Sequence, residues 1–169
     1  MEKILITGVS GLLGSNLAKI AVSRFEVFGA RNKHAIDLCG VRLFVADLCA
    51  KESLSKIRQI KPDWIIHCAA LTNIDYCEDN PQEAYDNNVM ASSHVAEAAR
   101  EIGAYLIHIS TDCVFDGVRG AFTEEDRTNP INIYGKTKLE AEQKVLSLCP
   151  GSCVVRTNIY GWNVLDKFS

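Results

Sequence analysis

The stretch Lys3-Ile4-Leu5-Ile6-Thr7-Gly8-Val9-Ser10-Gly11-Leu12-Leu13-Gly14 decides how the rest of the chain is read. A short apolar run ends at a turn with glycines at i, i+3 and i+6, and helical spacing of apolar residues follows from Leu12 to Arg24. An apolar run of this kind, closed by glycine, reads as a strand buried on both faces. At such a turn the first glycine permits the tight bend and the second lets backbone N–H groups approach a pyrophosphate. The third lets the helix pack closely on the strand. The positive end of the helix dipole then faces the phosphates. Position in the first strand–helix turn of a parallel sheet is what gives the pattern its meaning as a dinucleotide cradle. Gly8, Gly11, Leu12, Leu13 and Gly14 are its candidate contacts.

Working outward, strand and helix patterns alternate. Glu26–Ala30, Val41–Ala46, Asp63–Ala70, Ala104–Ser110 and Cys153–Arg156 read as strands; Glu52–Ile60, Ala84–Ile102 and Tyr134–Leu148 read as helices. Strands without polar alternation, set between amphipathic helices, predict an α/β fold: a doubly wound parallel sheet of Rossmann type with helices on both faces. The stretch from Phe115 to Asn132 is too long for an ordinary connection and reads as a functional loop. In the long helix, Ala84, Asn88, Ala91, Val95, Ala98 and Ile102 form one stripe whose polar member, Asn88, needs hydrogen-bond partners. His67 and His108, inside apolar strands, read as satisfied core residues and not as ligands.

Composition narrows the function. The 169 residues are 47% hydrophobic and 23% charged, enough for one globular domain. The net charge is −3 and the basic residues are scattered, which argues against nucleic acid or an anionic membrane as partner. No apolar run approaches the ~20 residues of a membrane span, and the N-terminus does not read as a signal peptide. The seven cysteines are an odd number without a CxxC pair. That pattern predicts no disulfide framework, no metal and a cytoplasmic location.

Beyond the glycine turn, Arg31 stands just past the second strand, where an NAD enzyme carries an acid for the ribose 2′-hydroxyl. A guanidinium there can fork onto a 2′-phosphate, with Lys33 close behind. NADP(H) is therefore favoured, NAD(H) being the alternative. Tyr134 and Lys138, four apart, share one helix face. A cation beside a phenol favours its phenolate and brings acid–base exchange toward neutral pH. Thr111 ends the fifth strand at the carboxyl edge of the sheet, where ligands of open α/β sheets bind. It can hydrogen-bond a substrate oxygen, with Asp112 and Cys113 beside it; Cys113 has no nearby histidine to make it a nucleophile.

Taken together, GVSGLLGSNLA, ALTNIDYCE, NNV, STDCVFDG, the Pro130 to Tyr134-Gly-Lys-Thr-Lys138 block and Val155-Arg156-Thr157 make the chain resemble the extended short-chain dehydrogenases/reductases. Within them it is similar to the dTDP-4-dehydrorhamnose reductase family. The resemblance implies that Asp47 and Leu48 hold the adenine and that Ala69, Ala70 and Leu71 line the cofactor. Asn88 then supports the loops around the site. Also implied is reduction of the 4-keto group of a nucleotide-linked sugar. Tyr134 would protonate the alkoxide, Lys138 would tune it and hold the nicotinamide ribose, and Thr111 would orient the carbonyl.

Two departures fall on the substrate side: Cys113 stands where the family has tyrosine, and Ile159 where it commonly has tryptophan, with Trp162 three residues on. Family members are considerably longer, so residues 1–169 are expected to be the cofactor-binding domain without the C-terminal substrate domain. Two other functions share the pattern: a nucleotide-sugar epimerase or dehydratase, and a non-catalytic dinucleotide-binding regulatory subunit of the methionine adenosyltransferase kind. A homodimer is the candidate assembly.

Overall fold

In a computed structural model of the chain, which describes residues 1–162, the apolar strands lie side by side in one parallel sheet. The elements are β1 (Lys3–Thr7), α1 (Leu12–Ala21), β2 (Glu26–Arg31), β3 (Val41–Val45), α2 (Ser55–Ile60), β4 (Trp64–His67), α3 (Ile74–Asp79), α4 (Pro81–Tyr85), α5 (Ala91–Ile102), β5 (Tyr105–Thr111), α6 (Ile133–Leu148) and β6 (Cys153–Thr157). The strand order is β3-β2-β1-β4-β5-β6, and every pairing is parallel. This is the doubly wound order, whose ligand crevice lies where the chain reverses direction, between β1 and β4.

Burial on both faces explains the apolar strands. Leu5 joins Phe28, Ile65 and Leu106 in the larger core, closed by Ile57 of α2, Val95 of α5 and Val145 of α6. Its neighbours Ile4 and Ile6 join Val27 and Ala18 in a second core under α1. On the α1 face the cover thins over β5 and β6: Tyr105 and Val155 are exposed, and Ile107 and Ile109 half-buried.

The observed elements depart from the sequence reading at several places. α1 ends at Ala21, because Arg24 and Phe25 both turn back to bond the Ala21 carbonyl and Phe25 packs on the core. β4 stops at His67, so Cys68 to Ala70 leave the sheet. Thr111, by contrast, is still on β5 and Arg31 is the last residue of β2. The helix α3 lies in a stretch to which the sequence reading assigns no element; Asn73 caps it by accepting from the Tyr76 N–H at 2.9 Å. The helix expected over Ala84–Ile102 is three pieces, with a π turn at Asp86–Met90 between α4 and α5. The extra residue in that turn buries Asn88 and Val89 together, and such bulges cluster at functional sites. Of the predicted stripe, Ala84, Asn88, Ala91, Val95 and Ala98 are buried and Ile102 is half-buried. Residues 115–132 carry neither helix nor strand, as expected of a long loop.

Candidate active site at the carboxyl edge of the sheet

The glycine turn is built by close backbone contact. Gly8 has φ +63°, and a Cβ there would lie 2.7 Å from the Ala69 nitrogen. A Cβ on Gly14 would lie 2.4 Å from the Gly8 carbonyl oxygen. Two of the glycines are thus demanded by packing. Gly11 is different: it is exposed, and a Cβ would come only to 3.3 Å of the Gly8 oxygen. It caps α1 without any side-chain hydrogen bond, and the first turn, including Leu12 and Leu13, carries no acid. That helix end therefore offers backbone N–H groups and a positive dipole to an anion. A dinucleotide pyrophosphate fits this cradle.

Around it stand the other expected contacts. The Val9 N–H bonds the Ala30 carbonyl at 3.2 Å, which sets Arg31 beside the turn. Among the described residues Arg31 makes no ion pair. Asp47 is exposed and accepts from the Cys49 N–H at 3.1 Å, whereas Leu48 is buried in the core. Ala69 donates its N–H to the Thr7 hydroxyl at 3.3 Å, and Ala70 and Leu71 follow, half-buried. Asn88 clamps Leu71 from both sides, accepting from its N–H at 2.8 Å and donating to its carbonyl at 3.1 Å. It also donates to the Thr137 hydroxyl at 3.0 Å, which ties the post-β4 loop to α6.

Tyr134 and Lys138 lie on the first turns of α6. Asn132 caps that helix through the Gly135 N–H at 2.7 Å, and Glu78 of α3 accepts from the Ile133 N–H at 2.6 Å. Gly135 is required because a Cβ would lie 2.3 Å from the Cys113 carbonyl oxygen, so the turn Asp112–Val114 rests directly on α6. Thr111 is 5% exposed, donates to the Asp112 carboxylate and accepts from the Cys113 N–H.

Electrostatics here differ from the sequence argument. The Tyr134 phenol is pushed up from its usual value, chiefly by burial, with the Thr111 hydroxyl pulling the other way. Lys138 does not draw it down. Its side chain is 2% exposed and donates to the Ile109 carbonyl at 2.7 Å, and burial lowers its own pKa to about 8. With the cation spent on a backbone carbonyl, desolvation governs the phenol.

Beneath the site lies a buried polar layer. His67 bonds the Thr7 hydroxyl at 2.7 Å and the Ser92 hydroxyl at 3.0 Å, satisfied as expected. His108 is not: it is fully buried, its ring 5.4 Å from that of His67, and neither nitrogen has a partner among the described residues. Pairing of β4 with β5 sets it opposite His67, and no hydroxyl faces it from the helices. Burial and the neighbouring Lys138 depress both imidazoles, His67 to about 3.

Sequence reasoning missed Ser110, Glu142 and Arg156. The Arg156 guanidinium forks onto the Glu142 carboxylate, with Nε–Oε1 3.0 Å and Nη2–Oε2 2.7 Å, and Ser110 donates to the same carboxylate at 2.5 Å. The signal was present: Glu142 follows Lys138 by four residues, on the same helix face. Arg156 also covers the Phe115 ring at 5.2 Å, Phe115 stacks on Phe122 at 4.4 Å, and Arg119 covers Phe122 at 5.0 Å. This column orders the long loop. It bounds a cavity of about 630 Å³ lined by Asp112, Cys113, Phe115, Arg119, Phe122 and Arg156.

Residues 1–164 match the family model described as RmlD substrate binding domain. The chain belongs to this family. It is 40% identical over 167 residues to methionine adenosyltransferase 2 subunit beta of Rattus norvegicus, covering 95% of this chain and 48% of that protein. To a dTDP-4-dehydrorhamnose reductase of Aggregatibacter actinomycetemcomitans it is 38% identical over 161 residues, covering 94% and 51%. Among solved structures, a hypothetical dTDP-4-dehydrorhamnose reductase from Sulfolobus tokodaii superposes with a TM-score of 0.83 at 39% identity, covering 92% of this chain and 55% of that one. The Bacillus anthracis dTDP-4-dehydrorhamnose reductase in complex with NADP gives 0.80 at 32%, covering 96% and 56%. The chain spans about half the length of these RmlD-family relatives. Among the described residues no helix is long and apolar enough to cross a membrane, and no cluster of metal-ligating side chains occurs.

Proposed function

We propose that this RmlD-family chain is the dinucleotide-binding and catalytic half of an NAD(P)H-dependent reductase acting on the 4-keto group of a nucleotide-linked sugar. What supports the reading is that Thr111 ends β5 at its carboxyl edge while Tyr134 and Lys138 lie on the first turns of α6, at the edge of the sheet that also carries the glycine cradle. When bound, the reduced nicotinamide supplies the hydride. Thr111, its hydroxyl turned from the Asp112 carboxylate, would donate a hydrogen bond to the substrate carbonyl oxygen, and the Tyr134 phenol would give its proton to that oxygen as charge develops there. A phenol is protonated at neutral pH and burial pushes its pKa further up, so it holds the proton that reduction requires. Lys138 would hold the nicotinamide ribose through an N–H not given to the Ile109 carbonyl, and Asp112 and Cys113 would border the substrate. Arg31 at the end of β2 favours NADP(H) over NAD(H). All seven cysteines are unpaired, which fits a reducing, cytoplasmic setting.

The likeness to methionine adenosyltransferase 2 subunit beta favours a second reading, a dinucleotide-binding subunit without turnover. Titration with NADPH and NADH, followed by NADPH consumption with a dTDP-4-keto-6-deoxysugar, separates the two. Binding with turnover that disappears in Tyr134→Phe supports the reductase. Binding without turnover, together with association with a methionine adenosyltransferase catalytic chain, supports the subunit, and absence of dinucleotide binding overturns both.

A further inference from the structure

We infer that Glu142 is a positioning residue for Lys138, held one helical turn from it by Arg156 and Ser110 in a buried node that also registers the Phe115–Phe122 loop against α6. The inference rests on the reading of Lys138 as a charged donor to the cofactor. Glu142 is 3% exposed and lies one helical turn beyond Lys138. Every oxygen of its carboxylate is engaged: Oε1 accepts from Ser110 and from Arg156 Nε, and Oε2 from Arg156 Nε and Nη2. The node therefore joins α6 to β5 and β6, and the Arg156 guanidinium passes the connection to Phe115 in the cavity wall.

The groups that face Lys138 show why one carboxylate matters. From β4 and its end come His67 and Cys68, from β5 comes His108, and from α6 comes Glu142. Both imidazoles are held neutral, and burial pushes the Cys68 thiol up to about 12. Glu142 is then the group among these whose negative charge opposes the desolvation of the ammonium. Arg156 competes for that charge, since its fork occupies the same oxygens. Removing either partner has opposite consequences for Lys138: loss of Glu142 leaves two cations without a counter-charge, and loss of Arg156 leaves the carboxylate wholly to Lys138.

The test is an NMR titration of the lysine Cε and Nζ signals in the full chain, with Lys138 assigned from Lys138→Arg. The wild-type Lys138 midpoint is expected well below those of the surface lysines. Glu142→Gln lowers it further, by about one pH unit or a tenfold loss of proton affinity, and Arg156→Gln raises it. Glu142→Asp, a gentler change, moves it in the same direction as Glu142→Gln by less. Midpoints unchanged in both variants, or both moving up toward the ordinary lysine value as a loosened core admits water, overturn the proposal. NADPH titration from pH 6 to 9.5 forms the second arm: the affinity of Glu142→Gln falls off at lower pH than that of the wild type. A wild-type chain that fails to bind NADPH overturns the proposed function, while the NMR midpoints still decide the role of Glu142.

Discussion

Lys138 donates its ammonium to the Ile109 carbonyl at 2.7 Å, so the cation sits under the end of β5 and not in solvent beside the phenol. That placement has a thermodynamic signature. At neutral pH folded and unfolded chains both carry the proton, and the cost of burying it is fully present. Above about pH 8 the folded chain releases it, whereas the unfolded chain holds it to ~10.4. The unfolded state then binds more protons, and stability rises with pH across that window. Lys138→Met should remove this rise, with the wild-type-minus-variant stability difference changing by up to about 3 kcal/mol between pH 7 and 10.5 in urea denaturation.

The two histidines should behave oppositely on substitution. His67→Leu takes one partner each from the Thr7 and Ser92 hydroxyls, leaving them their bonds to the Ala69 N–H and the Asn88 carbonyl, and should cost about 1–3 kcal/mol. His108→Leu removes two buried nitrogens without partners and should be neutral or stabilising by about 1 kcal/mol. Thermal and urea unfolding of the two variants check this; equal destabilisation would mean that His108 has a partner.

Acid sensitivity follows from the same pair. His67 is held neutral to about pH 3, whereas an unfolded histidine protonates near ~6.5. Above that pH neither state is charged and stability is complete. Below it the unfolded chain alone takes up the proton. Stability should therefore fall by about 1.4 kcal/mol per pH unit for each depressed histidine. Replacing His67 by Gln should flatten part of that slope between pH 6 and 4.

Within the glycine turn, stability and binding should separate. Gly14→Ala drives a Cβ into the Gly8 carbonyl and should cost about 2 kcal/mol or more of folding stability. Gly11→Val costs the fold less than Gly14→Ala, because its Cβ comes to 3.3 Å of the Gly8 oxygen without overlapping it, yet it screens the N–H groups from a pyrophosphate. Calorimetric titration should show at least a tenfold loss for NADPH and NADH alike. Unaltered affinity would show that the turn holds no phosphate.

Arg31→Ala should weaken NADPH by about 1.5–3 kcal/mol and leave NADH nearly unchanged, since on the proposed reading the guanidinium pairs with the 2′-phosphate that NADH lacks. Equal losses for both dinucleotides would remove the case for NADP preference.

What was legible in the sequence was local. Lys3–Gly14 announces β1, the turn and α1 because glycine spacing and apolar runs act through the backbone within a few residues. Tyr134 and Lys138 could be paired because helical periodicity alone puts them on one face. The capped helix at Ile74–Asp79 was missed although its signal, Asn73 before Asp75, is also local; the surrounding polar residues masked it. Partners across long separations were not legible. Nothing in the order of residues announces that Glu142 of α6 grips Arg156 of β6, that Asn88 clamps Leu71, or that Glu78 caps α6.

The sequence by itself determined the α/β alternation, the dinucleotide turn and the identities of the chemical groups, because backbone freedom and periodicity are properties of neighbouring residues. Only the tertiary structure decided their charge states. Burial beneath β5 brings the Lys138 pKa down to about 8 and pushes that of Tyr134 up, so the two groups titrate away from their ordinary ranges. Parallel pairing sets His108 against His67 with no partner of its own. Desolvation depends on everything packed around a group, and that environment comes into being only when strands far apart in the chain lie side by side.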